Sequence, residues 1–117
     1  MSEEVKIYHN PRCRKSREAL KYLDENGIDY EVIKYLDHPP QPSELELLIT
    51  KMNGEVQDII RKEEKIFKEK FKGRNFNANE WLVILSENPK LIQRPIVVKG
   101  HKAAVGRPLE NVKYLFN

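Results

Sequence analysis

Lys6-Ile-Tyr-His-Asn-Pro-Arg-Cys-Arg-Lys-Ser-Arg17 holds the only cysteine of the chain and joins a β-rich run to a helical one. Val5 to Tyr8 has the composition of a short strand, Asn10-Pro11 is a turn signal, and Ala19, Leu20 and Leu23 then recur at helical spacing. Cys13 therefore falls at or just before a helix N-terminus, where unpaired backbone N–H groups and the positive end of the helix dipole favour an anion. Arg12, Arg14, Lys15 and Arg17 surround it with cations. A free thiol ionises near pH ~8.5, and such surroundings can bring that to roughly 3.5–7.5. A lone cysteine is often no more than a small buried hydrophobe. Four cations on a strand-to-helix turn favour a reactive thiolate instead, and the same field attracts an oxyanion.

Outward from this turn, the strand-helix-strand order continues. The first helix runs from about Cys13 to Asn26 and is closed by Gly27, and a second strand covers about Tyr30 to Lys34, so a right-handed parallel crossover is expected. His38-Pro-Pro-Gln-Pro42 interrupts the pattern. Ser43-Glu-Leu-Glu46 then reads as a capping box, opening a helix with Leu45, Leu48, Ile49 and Met52 on one stripe and Asn53-Gly54 at its end. A further helix is expected over about Val56 to Phe71, possible breaks falling near Lys62, with Ile59, Ile60, Ile66 and Phe67 inward. Asn77 or Asn79 caps the next, which carries Trp81 as a core residue. Pro95 to Val98 and Lys102 to Val105 form a hairpin about Lys99-Gly100-His101, and Pro108 leads into a last helix with Leu109, Val112 and Leu115 inward.

At 117 residues, 39% hydrophobic and 33% charged, the chain suits one globular domain, residues 1–117, with a helical insertion at about 41–90. No apolar run approaches the ~18 residues of a membrane span, and Met-Ser-Glu-Glu lacks the parts of a secretory signal, so a cytoplasmic location and no membrane partner are expected. One cysteine rules out an internal disulfide and a CxxC dithiol, so a redox cycle must borrow a second thiol. The segment from Arg61 to Arg74 has seven Lys/Arg against three Glu, a mixed-sign pattern that reads as a solvated face rather than a nucleic-acid surface. No metal site and no bound cofactor are expected, and a monomer is.

Two arginines stand before prolines at strand ends: Arg94 before Pro95 and Arg107 before Pro108. Proline restricts the residue before it to extended backbone, and the hairpin brings both loops towards the first strand-to-helix turn. The residues alone leave these arginines open to either reading, surface or anion-binding.

Ile7-Tyr-His-Asn-Pro-Arg-Cys13 with Ser16-Arg17, Asp58-Ile-Ile-Arg61-Lys62, Leu91-Ile-Gln-Arg-Pro-Ile-Val-Val98 and Val105-Gly-Arg-Pro108 follow one another across nearly the whole chain. Together they resemble the glutaredoxin-coupled arsenate reductase family of the thioredoxin-like superfamily, in its Asn-Pro-Arg-Cys subset. The resemblance implies a thioredoxin-like α/β fold: a four-stranded mixed sheet with helices on both faces and an inserted helical lobe. It implies that Cys13 is the nucleophile, that His9 influences its ionisation, and that Arg61, Arg94 and Arg107 bind the oxyanion. Without it, Arg61 would be left on a solvated helix. Asn10, Ser16, Arg17 and Pro95 are supporting residues, with Pro95 expected in the cis form. Ser16 stands where a dithiol protein carries its resolving cysteine. The implied reaction reduces arsenate to arsenite, with glutathione as co-substrate and glutaredoxin as partner. In the family the residue after the cysteine is often small or uncharged, so the charges of Arg14 and Lys15 are expected to lower the thiol pKa further. Two other functions compete: a thiol-stress regulator that binds RNA polymerase, and a glutathione-dependent reductase of another oxyanion or of mixed disulfides.

Overall fold

Short apolar runs, buried towards both faces, build the sheet that carries the cysteine turn. The computed structural model describes residues 3–117. Strand β1, Val5–Tyr8, pairs in parallel with β2, Glu31–Ile33, and antiparallel with β3, Ile96–Lys99, which in turn pairs with β4, Lys102–Val105. The order is β2-β1-β3-β4, with Ile7 opposite both Val32 and Val97. Gly100, at φ 58°, turns the β3–β4 hairpin in the left-handed region that glycine enters without steric cost.

Because side chains alternate along a strand, Val5, Ile7 and Val97 share one face. Ala19 and Leu23 of helix α1, Arg14–Glu25, and Val112 of helix α4, Glu110–Tyr114, bury themselves on that face. Tyr8, Ile96 and Val98, on the other face, are buried as well. Helix α1 ends where expected: Asn26 caps it and Gly27 takes φ 65°. The stretch to His38 together with Arg94–Asn117 forms one compact unit, and Pro39–Gln93 forms a second.

In the second unit, helix α2, Pro42–Met52, packs on helix α3, Ala78–Glu87. The expected capping box at Ser43 is absent. Pro42 occupies the first helical position, where its missing N–H costs nothing, and this makes Gln41 the cap and puts Ser43 inside the first turn. The helix closes on Asn53 in the left-handed conformation at φ 54°. Asn77 does form a box: its Oδ1 accepts the Glu80 N–H at 2.8 Å, and the Glu80 carboxylate accepts the Asn77 N–H at 2.9 Å.

The helical stretch expected over about Val56 to Phe71 is interrupted near Lys62, where the sequence allows a break, and does not form a continuous α-helix. A 3-10 turn covers Val56–Ile59, Ile60 forms an antiparallel bridge to Ile92, and a π-helical turn follows at Phe67–Phe71. The Ile60 backbone is extended because its pairing partner is distant in sequence, a preference that local periodicity does not register. Phe67 and Phe71 lie against Trp81 with ring centroids 6.2 and 5.9 Å away, and Phe76 meets it edge-on at 5.1 Å, so Trp81 is a core residue as read from the sequence.

The two capping sequences give a paired prediction. Asn77→Ala should lower unfolding free energy by about 1 kcal/mol through loss of a helix cap, whereas Ser43→Ala should change it by less than about 0.5 kcal/mol. Urea denaturation followed by the fluorescence of Trp81, the one tryptophan and buried in the native state, reads both.

Candidate active site

Cys13 is the residue that caps α1, with extended backbone at φ −94° and ψ 122°. Its N–H donates to the Asn10 carbonyl at 2.9 Å, and its carbonyl accepts the Arg17 N–H at 3.0 Å as the helix begins. Asn10 is buried and tightens the turn from within, its Oδ1 accepting the Arg12 N–H at 3.0 Å. Arg17 closes the turn from outside by donating Nη1 to the Pro11 carbonyl at 3.0 Å. These bonds hold the half-buried sulfur at the opening of the helix.

Ser16 is fully buried one turn into α1 and links both ends of the loop. Its hydroxyl accepts the Asn10 N–H at 3.0 Å and lies 2.6 Å from Nδ1 of His9. His9 is buried too, and burial first, then the charge of Arg17, hold its pKa below the ordinary range. The short contact is a hydrogen bond between the Ser16 hydroxyl and the imidazole Nδ1. His9 therefore supports the loop through Ser16, and its lowered pKa favours the uncharged imidazole.

The charge comes from the other end of the unit. Arg94 and Arg107 stand before prolines, and both Arg94–Pro95 and Arg107–Pro108 are cis, as expected for Pro95. Arg107 donates Nη2 to the Cys13 sulfur at 3.1 Å and Nε to the Arg94 carbonyl at 2.7 Å. The Arg94 side chain, itself buried, also donates to the sulfur. Burial pushes the thiol pKa up. The Ser16 N–H, the charge of Arg107, the Arg94 donor and the Lys15 N–H outweigh it, leaving the pKa below the usual thiol value.

The cations read from the sequence as the source of that shift do other work. Arg14 and Lys15 both turn to Glu18, at 3.5 and 3.8 Å, on the exposed face of α1. Lys15 acts on the sulfur through its backbone N–H instead. Gly106 also carries no signal in the composition. Its N–H donates to the Pro95 carbonyl at 2.8 Å, and a Cβ there would come within 2.8 Å of Pro95 Cγ and 3.1 Å of Val112 Cγ2. Only glycine lets the two proline loops approach this closely. A glycine directly after a strand and before Arg-Pro was the available clue.

The structure thus gathers His9, Asn10, Cys13, Ser16, Arg17, Arg94, Pro95 and Arg107 within one unit. Arg61 belongs to the other. There its N–H donates to the Leu91 carbonyl at 2.7 Å beside the Ile60–Ile92 bridge, and Glu63 and Glu64 lie at ion-pair range, 3.8 and 3.7 Å from Nε. Its Nε and Nη1 are buried and have no hydrogen-bond partner among the described residues. The basic stretch around it carries its own counter-charges, as in the Lys65–Glu69 pair. No group of three or more His, Cys, Asp or Glu among the described residues is arranged to hold a metal.

The model of the ArsC family matches residues 8–115. The chain belongs to the ArsC family. Within it, an arsenate reductase of Neisseria meningitidis is 45% identical over 112 residues, covering 94% of this chain and 96% of its own. The uncharacterised protein YfgD of Escherichia coli K12 is 44% identical over 115 residues, with 96% of each covered. The structure of an arsenate reductase from Vibrio cholerae superposes with a TM-score of 0.91 at 40% identity, covering 97% of this chain and 98% of that one. The four-stranded mixed sheet is accordingly the thioredoxin-like architecture anticipated from the sequence.

The geometry assigns thiol ionisation to Arg107, Arg94 and the helix N–H groups. Arg107→Gln should slow Cys13 alkylation at neutral pH by about tenfold, the size of one lost hydrogen bond to a charged group. Arg14→Gln and Lys15→Gln should each change it by less than about twofold, being exposed ion pairs. The pH dependence of iodoacetamide modification measures all three. The sign for stability follows from the same shift. The folded thiol ionises more readily than the unfolded one, so its contribution is full above the unfolded pKa of about 8.5 and is lost as pH falls through the folded pKa.

Proposed function

We propose that this chain reduces arsenate to arsenite, with Cys13 as the nucleophile and glutathione and glutaredoxin as the source of electrons. The contact that carries the reading is Arg107 Nη2 at 3.1 Å from the Cys13 sulfur, with Arg94 donating beside it. Guanidinium groups that stabilise a thiolate are also placed to take the oxygens of an incoming tetrahedral oxyanion. The names of the relatives from Neisseria meningitidis and Vibrio cholerae support arsenate as that anion.

In the proposed reaction the Cys13 thiolate attacks arsenic, an As–S bond forms, and one As–O bond breaks with its oxygen leaving as water after protonation. Arsenate must then gain two electrons. Two donor thiols give them up and end as one disulfide, while the As–S bond to Cys13 is released and arsenite departs. The chain has one cysteine, and Ser16 is engaged with His9 and Asn10, so the donors are external. Glutathione as the first and glutaredoxin as the second fit this need.

A coupled assay with arsenate, glutathione, glutaredoxin, glutathione reductase and NADPH should show NADPH oxidation that Cys13→Ser abolishes. Arsenate should also protect Cys13 from alkylation. Absence of both turnover and protection overturns the reading. Protection with turnover only on another thiol donor keeps arsenate and removes glutathione and glutaredoxin.

A further inference from the structure

We infer that Asn111 is a positioning residue for Arg107, holding the backbone from which its guanidinium reaches the Cys13 sulfur. Asn111 is half-buried on the first turn of α4. Its Nδ2 lies 3.2 Å from the Val105 carbonyl and 3.3 Å from the Arg107 carbonyl. A side-chain amide has two N–H donors on one nitrogen, and both neighbours here are acceptors, so one residue occupies both.

The two carbonyls bracket Gly106. That residue is bound on its other side, where its N–H meets the Pro95 carbonyl at 2.8 Å. Residues 105–107 are thus held between the Pro95 loop and the Asn111 amide. The Arg107 side chain leaves this clamp with fixed direction and makes its two bonds, to the Arg94 carbonyl and to the sulfur. A hydrogen bond to a charged group depends steeply on distance and angle, so slack in the Arg107 backbone reaches the sulfur directly.

Residues with hydroxyls, aliphatic chains or carboxylates cannot reproduce the arrangement. Serine is too short for both carbonyls, and aspartate has the shape but turns two acceptors towards acceptors. The effect on the thiol is a claim about this geometry alone. Its consequence for oxyanion capture, a higher KM with a smaller change in kcat, rests on the function proposed above.

The test is a double-mutant cycle read by Cys13 alkylation at neutral pH, which needs no substrate and so stands or falls apart from arsenate turnover. Asn111→Ala should slow alkylation by about threefold to tenfold, the range for a lost neutral hydrogen bond. In an Arg107→Gln background the same substitution should have no further effect, because its route to the sulfur is gone. Asn111→Asp should match or exceed the alanine variant, although it preserves volume. Thermal denaturation of each variant establishes that the native state is populated during the assay. An unchanged rate in the Asn111 variants, or an equal slowing in both backgrounds, overturns the proposal, the second outcome marking a general structural role.

Discussion

A half-buried thiol can ionise only if its charged form is supported, and the guanidinium of Arg107 is what ties the rest of the unit to that task. It bonds the sulfur with one nitrogen and the Arg94 carbonyl with another, so the loop before β3, the loop after β4 and the start of α1 meet in a single group. Removing a charge from water is costly unless fixed dipoles and counter-charges replace the hydration. Here the replacements are backbone N–H groups of Lys15 and Ser16 and the side chains of Arg94 and Arg107. Gly106 belongs to the same constraint, since any Cβ would hold the Pro95 loop away and with it the carbonyl that Arg107 binds.

Ser16 shows how the loop manages with one sulfur. A second cysteine at this place would compete for the thiolate of Cys13. The hydroxyl instead takes the Asn10 N–H and shares a proton with His9, so a buried backbone donor and a buried imidazole are satisfied together. Burial and then the charge of Arg17 favour the uncharged form of His9, and the pKa of the sulfur is lowered by the arginines and the helix N–H groups. Loop shape and thiol charge therefore have separate supports, the first running through Asn10, Ser16 and His9, the second through Arg94, Arg107 and the N-terminal turn of α1.

The parts of this arrangement that are local in sequence were legible. A β-rich run, an Asn-Pro turn and an apolar helical period placed Cys13 at a helix start, and the hairpin with Arg94 and Arg107 before prolines placed two cations at strand ends. Asn77, one of the two candidate caps, is the cap, and Glu80 completes a box with it. Ser43 forms no box, because the preceding proline moved the helix start by two residues, an effect within the sequence but outranking the motif. The helical stretch read across Val56 to Phe71 is broken for a different reason. Ile60 pairs with Ile92, and a partner so far along the chain overrides a local stripe. Asn111 lay beyond the reach of pattern, since nothing in a short amphipathic run states which carbonyls a half-buried amide will face.

Arg14 and Lys15 show why counting cations near a cysteine misattributes the source of its acidity. Glu18 stands four residues after the first and three after the second, spacings that put all three on one helix face. The Arg14 side chain is 84% exposed, and a charge so hydrated is screened by salt and weakly felt at the sulfur. Arg94 is 8% exposed, and its side chain acts on the sulfur by donating a hydrogen bond to it. The Arg14 and Lys15 side chains thus form a solvated rim, while the N–H groups of Ser16 and Lys15 and two arginines more than eighty positions away favour the ionised sulfur. Proximity along the chain identified the right atom, and the helix N-terminus acts on it as expected through the N–H groups of Ser16 and Lys15, whereas the neighbouring side-chain cations do not add to that effect.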